Sequence, residues 1–395
     1  MSYRILSLDG GGSWAIIQVM VLMKLYPGDP TGNEVLSDFD LVAANSGGSI
    51  VLATLIENYK LSEIFAFFNS LEKRQSVFSK TDSVENDIVR AVAHVGPLYS
   101  TDQKLAGLRA ALPNSGGIAL PQAVAPIKGN ATGAPVHVLI TSFDYDRNRA
   151  VFFRSSDTSS EQWGVGDETG VALAEAVHAS STAPVNYFDK PATFSSSTSR
   201  YWDGGIAGCN NPVLAAVTEA IGRQQEPKNI VALSIGTGSV VLPCQDPGEP
   251  ASPYLTPRNN PGIITDLKKL ATSIVDDPPD IATFLAHVMT GSGADLNGPL
   301  AVSRIVRLNP LISPIKEGGH WIGPGGMQSI DFTKLATLTL DAVAQDDVDA
   351  ITSYAGKWIS DVAPNQPIRM DSATLACELG QDKFSAALAA WQAIR

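Results

Sequence analysis

The side chains with chemical potential sit on three glycine-rich turns, each beside a short apolar run. These are Asp9-Gly-Gly-Gly-Ser13, Asn45-Ser-Gly-Gly48 and Asp203-Gly-Gly205. Ser46 lies in Ala44-Asn-Ser-Gly-Gly48, between a strand-like Asp40–Ala44 and a helical Ser49–Tyr59. This approximates the G-x-S-x-G elbow, where a sharp strand-to-helix turn lifts a serine hydroxyl out of the backbone as a nucleophile. Gly47 and Gly48 avoid collisions with the neighbouring strand or helix. Ala44 replaces the first glycine of the pattern, and strain is expected there.

A nucleophilic serine needs a base, an oxyanion site and space for an acyl group. Five histidines are available: His94, His137, His178, His287 and His320. None occupies the triad position of the α/β-hydrolases, after the last strands and after the aspartate. His320, in a glycine-rich loop, comes nearest, and His178 reads as a packed or capping residue of a helix. The better base is Asp203, between Tyr201-Trp202 and Gly204-Gly205, although an aspartate there also suits an ordinary turn. A free carboxyl titrates near 3.9, too low for an efficient base near neutrality; burial beside Tyr201 and Trp202 would raise it. The Asp9–Gly12 turn opens a helix. It serves either close strand–helix packing or an anion site of backbone N–H groups. It matches neither a dinucleotide fingerprint nor a P-loop.

The elements around these turns alternate. Strands are expected at Tyr3–Leu8, Val136–Phe143, Ala150–Arg154, Asn229–Ile235 and 302–308. Helices are expected at Trp14–Tyr26, Leu61–Lys73, 85–95, Thr101–Leu112, Val171–Ser181 and Val213–Arg223, and from Phe332 onward. Asp144–Arg149 turns a hairpin at a sheet edge. Residues 243–262 and Gly318–Gly326 read as loops. The pattern predicts an α/β fold of three layers, with a mostly parallel central sheet flanked by helices and a helical C-terminal part.

The 395 residues carry a net charge of −12 and are 44% hydrophobic. An acidic surface argues against a nucleic-acid partner. Cys209, Cys244 and Cys377 are odd in number, suit a reducing compartment and read as buried small residues. The N-terminal MSYRILSLDGGG enters a core strand at once, so a signal peptide is not expected, and no apolar run reaches the length of a membrane span. A cytoplasmic location follows as the expectation. Asp276, Asp277 and Asp280 lack EF-hand spacing and read as a solvated turn.

Together, the glycine triplet, the serine elbow and Asp203-Gly-Gly205 followed by Asn210-Asn-Pro212 resemble the patatin-like phospholipases, over roughly residues 3–310. Further matching stretches are 97–100, Thr141–Asp144, Ala179–Pro184 with Phe188, and Ser234–Gly238. The resemblance implies a patatin-like fold and lipid acyl hydrolysis by a Ser–Asp dyad. Ser46 would be the nucleophile, Asp203 the proton acceptor, and Gly10, Gly11 and Gly12 the oxyanion hole. Asp9, Gly47, Gly48, Gly204 and Gly205 would give support. It implies no cofactor or metal, a lipid substrate and transient contact with a membrane or micelle surface. It divides the chain into an acyl hydrolase domain, 1–310, and a mainly helical extension, 311–395. The family's cation after the triplet is Trp14 here, and the glycine after it is Ala15. A non-catalytic lipid-binding or storage protein, or a short-chain esterase or acyltransferase, are the alternatives on the same site. Leu61–Phe68 and the 243–262 excursion are candidates to border it.

Overall fold

The computed structural model describes residues 2–77, 99–155, 170–184, 187–248, 250–257, 262, 278–292, 303–371 and 374–395. The helix expected at 85–95, and positions 94, 276 and 277, lie outside the described residues. Among the described residues up to 312, nine strands run in chain order: β1 (Tyr3–Leu8), β2 (Leu41–Ala44), β3 (His137–Asp144), β4 (Arg149–Arg154), β5 (Tyr201–Asp203), β6 (Ile230–Ile235), β7 (Ser239–Val240), β8 (Ile305–Leu308) and β9 (Leu311–Ile312). The central sheet has the order β4-β3-β2-β1-β6-β8, with β5 also paired to β3. The pairs β1–β2, β1–β6, β2–β3 and β6–β8 are parallel, while β4 and β5 run antiparallel to β3.

Strand alternation builds the layers. Successive side chains point to opposite faces, so Leu6, Leu8, Val42 and Ala44 join one core with Ile17, Val51 and Trp358. Ile5, Leu41 and Ala43 join a second core with Val213, Val217 and Ala286. Both faces are therefore covered, which is why these strands read as continuous apolar runs. The register aligns the carboxyl ends of the parallel strands: Leu8 lies beside both Ala44 and Ile235, and Ile235 beside Leu308. Turns leaving those ends gather at one rim, the usual ligand edge of a parallel sheet.

The C-terminal part carries helices Ser329–Thr337, Gln345–Ile359 and Phe384–Ile394. Its Trp391 stacks on Phe39, with ring centroids 6.0 Å apart. It also holds two hairpins, where an unbroken helical stretch and a glycine loop were expected. Ile315–Glu317 pairs with His320–Ile322 around Gly318-Gly319, whose φ values of 55° and 86° form a turn that suits glycine. Arg369–Met370 pairs with Cys377–Leu379. Strands of two or three residues are too short to register as a period. Asp280 belongs to the first turn of helix Pro278–His287 and accepts a hydrogen bond from Gln366, so it is not a free turn. The cysteines are free thiols; Cys244 is exposed and the other two half-buried. Among the described residues no helix is long and apolar enough to cross a membrane.

Candidate active site

Strand register brings Ser46 and Asp203 together. β2 ends at Ala44, opposite Ile140 of β3. Beyond that point β5 takes the same edge of β3, running the other way, with Asp203 opposite Ser142. Two strand ends thus face each other along one edge. The chain leaving β2 delivers Asn45 and Ser46 to the place where β5 delivers Asp203.

Ser46 is the first residue of helix Ser46–Ile56 and is buried. Its φ of 48° places it in the left-handed region, which a non-glycine residue enters at a cost. The strain expected at Ala44 is absent: that residue is extended, in register with Leu8 and Ile140, and fully buried. The strain sits on the serine itself. Ser180 Oγ accepts the Ser46 N–H at 2.9 Å, and Ser49 Oγ donates to the Ser46 carbonyl at 2.6 Å. Gly47 is required by close approach, since a Cβ there would lie 2.7 Å from the Gly12 nitrogen and 2.5 Å from its carbonyl oxygen. Gly48 backs onto the Leu8 and Asp9 carbonyls.

The Asp203 carboxylate lies beside the Ser46 side chain, which acts to lower its pKa. Its Oδ1 accepts from Asn45 Nδ2 at 3.1 Å and from the Gly205 N–H at 2.8 Å. Asn45 is held in turn by Thr141 Oγ1, which donates to its Oδ1 at 2.7 Å. Gly204 packs against Asn45 and Thr141. Burial raises the Asp203 pKa above the usual carboxylate value, opposed by Ser46, Gly205, Asn45 and the charge of Lys104. The direction suits a base working nearer neutrality.

The glycine triplet divides. The Gly10 N–H donates to the Asn210 carbonyl at 2.8 Å, so it is unavailable to an oxyanion, against the expectation for all three residues. Among the described residues no hydrogen bond engages the N–H of Gly11 or Gly12. Gly12 has φ 54°, and Gly47 lies against it. Asp9 heads the turn differently. Its carboxylate meets the Arg307 guanidinium at 2.6 Å, both groups buried. Burial nevertheless pushes its pKa up to about 6, with Arg307 opposing.

Ser46 opens into a small cavity of about 20 Å³, room for about one water. Ile50, Lys104, Tyr187, Phe188 and Leu340 share its walls. Leu340 arrives on a strap from the C-terminal part. The Ser13 N–H donates to the Leu340 carbonyl at 2.9 Å and Trp14 Nε1 to the Thr339 carbonyl at 3.2 Å. Tyr99 OH donates to Asp341. Trp14, standing where the family's cation would be, is therefore an anchor for this strap. Neither Leu61–Phe68 nor the described part of 243–262 borders the cavity. The described histidines are also elsewhere: His137 pairs with Glu219, His287 with Ser303, and His320 is exposed on a hairpin. His178 is buried, and burial holds its pKa well below the ordinary value. Among the described residues no group of three or more His, Cys, Asp or Glu is arranged to hold a metal ion. Asn45, Lys104, Ser180 and Leu340 are additions to the residues singled out from sequence; of these only Asn45 and Ser180 lie in stretches already marked by motif.

Fold and site define an α/β protein whose serine elbow faces a buried aspartate at the carboxyl rim of its sheet. The family model described as Patatin-like phospholipase matches residues 6–217, and the chain belongs to that family. Among solved structures, VipD from Legionella pneumophila matches at 10% identity and a TM-score of 0.35. The match covers 90% of this chain and 66% of VipD, so this chain spans about two thirds of that protein's length. No curated protein sequence matches it.

Proposed function

We propose that the protein is a lipid acyl hydrolase that cleaves carboxylic esters of phospholipids or other acyl glycerides through a Ser46–Asp203 dyad. The observation that carries this reading is the strand register that sets the buried Ser46 beside a buried, proton-avid Asp203, which Asn45 and the Gly205 N–H hold in place. Asp203 takes the hydroxyl proton as Ser46 Oγ attacks the ester carbonyl. The tetrahedral oxyanion lies on the N–H groups of Gly11 and Gly12, a contribution of about 3 kcal/mol per donor. Asp203 then hands its proton to the departing alcohol, leaving an acyl-serine. In the second half it takes a proton from water, which releases the fatty acid and restores Ser46. The protein acts from the cytoplasm by transient contact with a membrane or micelle surface.

The small cavity favours a second reading, a short-chain esterase on the same dyad. Mass spectrometry of products from micellar phospholipid and from p-nitrophenyl butyrate separates the two. Free fatty acid and lysophospholipid from the wild type, absent with Ser46→Ala, support the first; turnover of the butyrate alone supports the second. A fluorophosphonate that fails to label Ser46 would leave a lipid-binding protein without catalysis.

A further inference from the structure

Lys104, on helix Thr101–Ala111, is fully buried in the wall of the Ser46 cavity. A buried ammonium ordinarily stands against a carboxylate, because an unpaired charge is costly to desolvate. Among the described residues no carboxylate lies within salt-bridge distance of it. Its Nζ instead donates to Thr182 Oγ1 at 3.0 Å and to the His178 carbonyl at 3.3 Å, and stands 4.3 Å from the centre of the Phe188 ring. Thr182 leads back to the dyad, since its carbonyl accepts the Asp203 N–H at 2.8 Å.

The surrounding charges leave one anion for this cation. On its own helix, Asp102 pairs with Lys190 and Arg109 with Glu175. From helix Leu173–Ser180 it faces His178, which burial keeps neutral. Tyr187 and Phe188 close the next side, and Asp341 behind them accepts from Tyr99. Burial pushes the Lys104 pKa well below the ordinary lysine value, and the charge of Asp203 opposes that shift; Lys104 in turn lowers the Asp203 pKa.

We propose that Lys104 is a positioning residue for the dyad: a buried amine, kept out of contact range, that fixes the Asp203 backbone through Thr182 and, in its protonated form, biases the carboxyl toward the anion. The spacing has a chemical reason. A contact ion pair would pin the carboxylate's charge, whereas a cation one residue removed biases Asp203 toward the anion and still lets it accept the serine proton.

The inference rests on the Ser46–Asp203 reading, and its test reads Asp203 directly. The carboxyls of selectively 13C-labelled aspartate are titrated by NMR, with the Asp203 signal identified by its loss in Asp203→Asn. In Lys104→Met the Asp203 titration should move up by about one pH unit, while Lys104→Arg should stay near the wild type. The acid limb of kcat/KM for a soluble p-nitrophenyl ester should move up with it. Should Lys104→Met fail to fold, Lys104→Gln replaces it. Asp203→Asn supplies the reciprocal reading, a lower titration point for the Lys104 ammonium. An Asp203 titration unmoved in both neutral variants, or moved equally by arginine, overturns the proposal. Failure of the dyad itself shows separately, as ester turnover that survives Ser46→Ala.

Discussion

Asp9 and Asp203 begin alike and end differently. Each closes a strand, heads an Asp-Gly-Gly turn and is buried, and burial makes each hold a proton more tightly than a free carboxyl. Asp9 touches a guanidinium, Arg307, which reaches in from β8 and also donates to Ser234 Oγ at 2.8 Å. The Asp203 carboxylate accepts from neutral donors, an amide and a backbone N–H, with the Ser46 hydroxyl beside it. The buried Lys104 amine stands off behind a threonine. The same turn therefore serves two ends. A contact pair with arginine ties strand to strand, while neutral donors leave a charge that can come and go.

Four changes would break or sharpen that contrast. The largest effect is expected from Asp203→Asn, which keeps the shape and removes the base. kcat/KM should fall by about 10⁴, roughly 5.5 kcal/mol of barrier, with the melting temperature held or slightly raised. Activity near wild type would remove Asp203 from the chemistry. Next comes Arg307→Met, which leaves Asp9 buried without its partner. Urea unfolding should show a loss of about 3–5 kcal/mol, while the folded fraction still labels with fluorophosphonate. Loss of labelling in protein that remains folded would give Asp9 a part in catalysis.

The third test uses pH. The Asp9 pKa is about 6 in the fold against an ordinary 3.8. The raised value means its stabilising contribution is complete below about pH 3.8 and is lost as pH rises through about 6. Between about pH 4 and pH 7 the wild type should therefore lose stability relative to Asp9→Asn, by on the order of 3 kcal/mol. A difference that stays flat across the window would mean that Arg307 holds Asp9 fully ionised. The smallest effect is expected from Asn45→Ala, which removes one neutral donor from Asp203. A hydrogen bond to a charged group is worth about 1.5–3 kcal/mol, so kcat/KM should drop about 10- to 100-fold. The acid limb should also move to higher pH, with stability changed less than in Arg307→Met.

What could be read from sequence follows the range of the forces involved. Turn chemistry is local, so Ser46 and Asp203 could be picked out by their glycines, and the β3–β4 hairpin by its polar turn. Their meeting depended on β5 sharing an edge of β3 with β2, a register that no local pattern records. Arg307 left a trace, because an arginine inside the apolar 302–308 run must find an anion. Lys104 left none: in TDQKLAGLRAA a lysine reads as solvent-facing, and only the helices packed around it make it buried. Gly10 looked equivalent to Gly11 and Gly12 until the Asn210 carbonyl took its N–H. At Ala44 the elbow pattern misplaced the strain by two residues, since the left-handed backbone belongs to the serine.

Leu340 sets a clock on biogenesis. It completes the cavity into which Ser46 opens, and the two lie 294 positions apart in the chain (340 minus 46). At about 5–20 residues per second, a ribosome needs on the order of 15–60 s to cover that interval. Throughout it the glycine turn lacks the backbone that Ser13 and Trp14 later hold. Strands β1, β2 and β3 can assemble early, but the wall over the serine arrives only after that interval. The serine elbow is thus made well before the wall that covers it, and the cavity closes only once residues 339–341 have been added.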